Sequence, residues 1–175
     1  ERAVADAGSF PEVIDGVHEG RAAILGFPGA SGWEVTPAGL HALAHLFRAA
    51  LPAVLQAGPD DLDVADLSVG DEPSIAFVDL HPGGGGYAEA VSLDAVRALA
   101  KLSLAVVRGC GCRKSGGCPD CVRVPQCHAR SMGGEKAPSR REAERLLCQL
   151  LDPALIASGD AVVYEDGKAP ASDVA

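Results

Sequence analysis

Five of the six cysteines fall within residues 110–127, and a chain that gathers its thiols so tightly must fold that stretch around something they share. Cys110-x-Cys112-x5-Cys118-x2-Cys121 supplies two close pairs, the arrangement that wraps a tetrahedral Zn²⁺ with sulfur at ~2.3 Å. Glycines 109, 111, 116 and 117 let the backbone curl, and Pro119 stiffens the second turn. Four thiolates fill the coordination sphere, so the expected site is structural and not hydrolytic. Two rivals accept the same residues. A redox dithiol would stand at a helix start after a strand, whereas Cys118-Pro119-Asp120-Cys121 reads as loop. An iron–sulfur cluster also takes four cysteines, and spacing does not exclude it. Cys127, or His128 beside it, could replace Cys110 or Cys112 in the quartet. Cys148 falls on the apolar face of the last expected helix, a buried structural position. Cysteines crowded in one segment suit metal binding in a reducing, cytoplasmic setting better than a disulfide scaffold.

The remaining chain is long enough, at 175 residues with 47% hydrophobic, to bury one core. Ala22–Phe27 reads as a short strand closed by Pro28-Gly29. Thr36-Pro37 is an N-cap with proline in the first turn of a helix over about 37–56, bent or interrupted at Pro52. Leu62, Val64, Leu67 and Val69 alternate as in a half-exposed strand, and Ser74–Leu80 reads as a more buried one. A glycine loop follows, then an apolar helix over about 88–107. Ser139 and Glu142 form a capping box ahead of a last helix over 140–151. Ala161–Tyr164 is a further strand candidate. These elements predict an α+β fold: a small sheet packed with two long helices and a short C-terminal one, plus a zinc knuckle of four cysteines. The expected division is a lead-in or sheet edge over 1–35, the zinc-binding domain over 36–155, and a strand with a flexible tail over 156–175. No apolar run approaches the ~20 residues of a membrane span, and the opening at Glu1 without a basic-then-apolar leader predicts a piece of a longer parent.

Little else carries chemistry. His81-Pro82-Gly83-Gly84-Gly85-Gly86-Tyr87 could bind an anion through its N–H groups, but it lacks the Gly-Lys-Ser/Thr ending of a nucleotide loop and Glu89 would oppose an anion. A tight strand-to-helix turn is expected, with Asp79 and His81 closing it by hydrogen bonds; an acid–base pair of an enzyme using this loop is the lesser alternative. His41 and His45 stand one helical turn apart as half a metal site, without the Glu of an H-E-x-x-H motif; apolar neighbours favour packing or hydrogen bonding. No catalytic constellation is present in the sequence.

The net charge of −9 conceals a partition: residues 97–145 hold eleven Lys and Arg against four acids, a balance of +7, which leaves −16 for the rest. A basic segment on an acidic body can meet phosphate while the body faces elsewhere, and Arg113, Lys114 and Arg123 are the candidate DNA contacts. A solvated helix face would explain many of the same charges.

Taken together, His41-Ala42-Leu43-Ala44-His45-Leu46, the run Val78 to Tyr87, and Cys110-Gly111-Cys112 followed by Gly117-Cys118-Pro119-Asp120-Cys121-Val122 resemble the zinc-binding C-terminal domain of MrfA-type superfamily 2 DNA helicases. That domain also occurs in helicase partners of bacterial phage-defence systems. The likeness covers about 36–151. It implies that Cys110, Cys112, Cys118 and Cys121 are the zinc ligands and that Asp79, Pro82, Gly83, Gly84 and Gly86 form the family's glycine turn. It further implies a non-catalytic accessory to two ATP-driven RecA-like motor domains, in cis or in trans, that helps shape the DNA path during repair. No Walker A, Asp-Glu-x-His box or arginine-finger motif occurs here, so the motor of such a parent is expected upstream. A protein-interaction module of a defence complex, with a purely structural zinc, is the alternative.

Overall fold

The computed structural model describes residues 20–29, 32–124, 127 and 137–152; the strand expected at 161–164 and the C-terminal tail lie outside them. Three strands, β1 (Ala22–Gly26), β2 (Leu62–Val69) and β3 (Glu72–Asp79), form an antiparallel sheet in the order β1-β3-β2. Gly70, at φ +63°, opens the tight β2–β3 turn, as such hairpins require. The register places Leu62 opposite Asp79, Val64 opposite Phe77 and Asp66 opposite Ile75. With a period of two, Leu62, Val64 and Asp66 therefore share a face with Ile75 and Phe77, and that face meets the helices.

The first helix, α1 (Pro37–Val54), lies at the centre. Thr36 caps it by accepting from the Gly39 N–H at 3.0 Å, with Pro37 in the first turn. From Gly39 to Phe47 every residue is buried except the half-buried His41 and His45, because the sheet and the two long helices that follow in the chain surround this stretch. Phe47 stacks on Phe77 with ring centroids 6.0 Å apart. The helix runs through Pro52 and stops two residues later, so the proline ends it rather than interrupting it midway.

One expected helix proves to be two pieces. A single turn, α2 (Tyr87–Ala90), is followed by a break, and α3 (Leu93–Gly109) starts afresh with Ser92 accepting from the Ala95 N–H at 3.2 Å. Ser92 is the start signal that the apolar run around it hides. The last helix, α4 (Arg140–Leu151), has the expected cap: Ser139 accepts from the Glu142 N–H. The other half of the capping box is diverted. Glu142 accepts from the Thr36 hydroxyl instead, and the Ser139 N–H donates to the Ala38 carbonyl at 3.1 Å, so the starts of α1 and α4 hold each other. Further along, Arg108 on α3 pairs with the buried Glu144 on α4 at 3.1 Å.

At Gly39, α1 and α4 approach closely: a methyl there would come within 2.9 Å of Glu142 Cβ. Alanine normally favours a helix over glycine, yet here crowding wins. Gly39→Ala is expected to lower stability by about 1–3 kcal/mol in urea unfolding; a neutral or stabilising result would mean that the two helices can separate freely.

A candidate four-thiolate metal centre

The C-terminus of α3 delivers Cys110, whose N–H still bonds to the Val106 carbonyl. The chain then turns back on itself. Arg113 takes a left-handed conformation at φ +52°, and Gly117 does so at +67°. At Gly117 a side chain has no room, since a Cβ would lie 2.2 Å from Val122 Cγ2. The N–H groups of Arg140 and Arg141, at the start of α4, both donate to the Ser115 carbonyl and anchor the far side of the loop.

This path brings four sulfurs together. Cys110 and Cys118 Sγ stand 3.5 Å apart, Cys118 and Cys121 3.7 Å, and Cys112 and Cys121 4.0 Å, and all four lie within 4.8 Å of one another. A tetrahedron with metal–sulfur bonds of ~2.3 Å has edges of ~3.8 Å, so the spacing suits one ion. Sulfurs on four separate irons of a cluster would stand farther apart. The Cys118 N–H also donates to Cys121 Sγ at 3.1 Å, which fixes that sulfur's direction.

Electrostatics shows what the cluster lacks by itself. Burial works against ionising Cys112, but the Lys114 N–H, the neighbouring thiols and the charge of Arg140 bring it down to about 7. Burial pushes Cys121 up to about 12, and burial likewise raises Cys118. One thiolate forms readily and repels the next; a dication reverses that balance and drives the remaining protons off.

Arg140 is the residue whose place the sequence conceals. It counts toward the basic segment, yet it is 0% exposed. Its guanidinium donates to Cys112 Sγ at 2.9 Å, to the Cys110 carbonyl at 3.0 Å and to the Val107 carbonyl. A fixed positive charge thus lies beneath the thiols. The three expected DNA contacts differ among themselves: Arg113 and Lys114 are exposed, while half-buried Arg123 donates from Nε to the Gly116 carbonyl at 2.9 Å and braces the loop. Cys148 is buried, with its thiol raised by that burial. Cys127 stands apart from the quartet, 3.0 Å from His41 Nε2.

The glycine loop is closed by its own acid. Buried Asp79 accepts from the N–H groups of His81, Gly85 and Tyr87 at 3.0, 2.8 and 3.1 Å. Gly83, Gly84 and Gly86 have φ between +80° and +91°, and a Cβ at Gly85 would meet His81 at 2.8 Å. An arriving anion would find those donors already occupied by a carboxylate. Burial raises the Asp79 carboxyl, but the backbone donors together outweigh it and hold it below its ordinary value. Glu89 pairs with Arg21, and His81 Nε2 lies 2.9 Å from Asp61.

Part of the chain is similar to known proteins. Residues 43–122 match the family model of the MrfA Zn-binding domain, and the resemblance read from the sequence is borne out over that segment. A solved structure of the DUF1998 helicase MrfA bound to DNA is 22% identical, with a TM-score of 0.49 over 67% of this chain and 15% of that one. The present chain therefore spans a small part of that protein's length. None of the curated proteins matches the chain.

Two outcomes follow. Arg140→Met should weaken zinc binding by about 10–100-fold in competition with a chelating dye while leaving its stoichiometry intact; unchanged affinity would show that the guanidinium only fills space. Asp79→Asn should destabilise the fold by about 1–3 kcal/mol near neutral pH by leaving loop N–H groups poorly paired. Because the folded carboxyl titrates below its unfolded value, the wild-type advantage is present above that value and shrinks as pH falls through the folded one. A gap that stays constant as the carboxyl is titrated with acid would contradict this.

Proposed function

We propose that this chain, whose residues 43–122 match the MrfA Zn-binding domain, serves as a non-catalytic accessory module of an ATP-dependent DNA helicase or translocase. The family match together with four thiols at tetrahedral spacing supports the reading most directly. Cys110, Cys112, Cys118 and Cys121 hold one Zn²⁺ that supplies folding energy to a loop with no regular structure of its own. Motor domains, in cis or in trans, provide ATP hydrolysis. The module is taken to span 36–155, with β1 completing its sheet and 156–175 outside it. Cytoplasmic work on DNA, in repair or in phage defence, is the cellular setting this implies; no described helix is long and apolar enough to cross a membrane.

DNA contact is assigned to the exposed Arg113 and Lys114, with Arg123 behind them. Two other cations of the basic segment are withdrawn from the surface: Arg108 pairs with the buried Glu144, and Arg140 lies beneath the thiols. That leaves a smaller basic surface than the charge count alone implies, an observation that favours the alternative of a protein-interaction module with a purely structural zinc.

Salt dependence separates the two. Each phosphate contact contributes about 0.9 to the slope of log K against log salt for duplex DNA. Arg113→Glu with Lys114→Glu should weaken DNA binding by the chain and reduce that slope by about 2. An unchanged slope, or no DNA binding with zinc in place, would transfer the proposal to the protein-interaction reading.

A further inference from the structure

A second set of metal-binding side chains lies outside the quartet. His41 and His45, four residues apart on α1, face the same way, with ring centroids 4.4 Å apart. Cys127, which follows the knuckle in sequence, brings its thiol to them. His41 Nε2 is 3.0 Å from Cys127 Sγ, and one donor atom from each of the three residues lies within 4.8 Å of the others.

The far sides of both rings are already fixed. His41 Nδ1 bonds to Asp66 Oδ1 at 2.6 Å, and His45 Nδ1 bonds to the Val122 carbonyl at 2.8 Å. A carbonyl can only accept, so His45 Nδ1 carries the proton and Nε2 keeps its lone pair. The carboxylate on His41 likewise holds a proton on Nδ1, and an ion arriving at Nε2 displaces the ring's other proton, which faces Cys127. Metal-bound imidazoles are typically held this way, by a carboxylate or a backbone carbonyl on the nitrogen opposite the metal. Asp66 reaches His41 because β2 turns Leu62, Val64 and Asp66 toward α1. The site is sheltered: the His41 and Asp66 side chains are 14% and 15% exposed, and Cys127 is 9% exposed.

We propose that His41, His45 and Cys127 form a second metal site that takes a Zn²⁺-class ion through His41 Nε2, His45 Nε2 and Cys127 Sγ, separate from the four-thiolate centre. Two imidazoles and one thiolate are donors that zinc accepts, at ~2.0–2.1 Å from nitrogen and ~2.3 Å from sulfur. Closing on an ion opens the 3.0 Å His41–Cys127 separation by about 0.5 Å to reach a tetrahedral edge. Three protein ligands leave one position for solvent. The site would clamp Cys127, beyond the knuckle in sequence, onto α1. The row Cys127–His41–Asp66 also resembles an activated thiol with its base and orienting acid; the second imidazole, which such a row does not use, favours the ion.

The proposal stands independently of the helicase reading, and zinc counted per chain tests it on the full purified chain. Wild type, loaded with zinc and cleared of excess, should hold two ions. Cys127→Ala and His45→Gln should each hold one, with unchanged far-UV circular dichroism, and Cys118→Ser should lose the other ion while keeping this one. A single zinc in wild type would overturn the proposal, whether Cys127→Ala retains it or loses it; loss would place Cys127 in the quartet. Should these variants unfold, stepwise Co²⁺ titration of wild type decides. A second equivalent should add a weaker thiolate-to-cobalt band, from one sulfur instead of four, and absence of that band refutes the site. Fast alkylation of Cys127 that excess zinc does not slow would likewise refute it, in favour of the thiol–imidazole pair.

Discussion

A guanidinium without water is the constraint on which the rest of this fold is arranged. Arg140 is fully buried, and a charge withdrawn from solvent is costly unless partners of opposite sign surround it. Its partners are carbonyls at the end of α3 and the Cys112 sulfur. Those carbonyls carry the negative end of the α3 dipole, so helix and thiol act on Arg140 together. Four thiolates around a dication would carry a net −2, which one buried cation halves. The cysteine loop, the end of α3 and the start of α4 are thereby one electrostatic unit.

The second organising element is α1. Its N-terminus is tied to α4 through Thr36 and Glu142, its apolar sides fill the core, and its two imidazoles face the segment that leaves the knuckle. Packing on all sides lets a helix of ordinary length hold the sheet and the cysteine loop in fixed relation. The same enclosure explains why polar side chains on its buried stretch are few.

Much of this was legible in the chain. Thr36-Pro37 and Ser139-x-x-Glu142 marked two helix starts correctly because caps are local, and four glycines in a row could only be a turn. The clustered cysteines announced a common site for the same reason, and four of their sulfurs do converge. Other features were not legible, and distance in sequence accounts for them. Glu142 abandons its own cap for a residue 106 positions away. Arg140 reads as surface charge because nothing adjacent reveals the cavity that α3 makes for it 33 positions upstream. His41 and His45 read as packing or hydrogen bonding, and they do hydrogen-bond, but their partners Asp66 and the Val122 carbonyl, and the approach of Cys127, lie 25, 77 and 86 positions away and could not be read locally. Ser92 was the exception, a local cap masked by apolar residues on both sides.

The cysteine loop also bears on the order in which the molecule assembles. The sulfurs of Cys110 and Cys121 can meet by closing one short excursion, whereas Cys127 must find His41 across 86 residues. Closing the shorter loop costs about 1.7 kcal/mol less conformational entropy. Ion capture by the four thiols can therefore precede the collapse of the body, leaving a preformed knot for α1 to dock against.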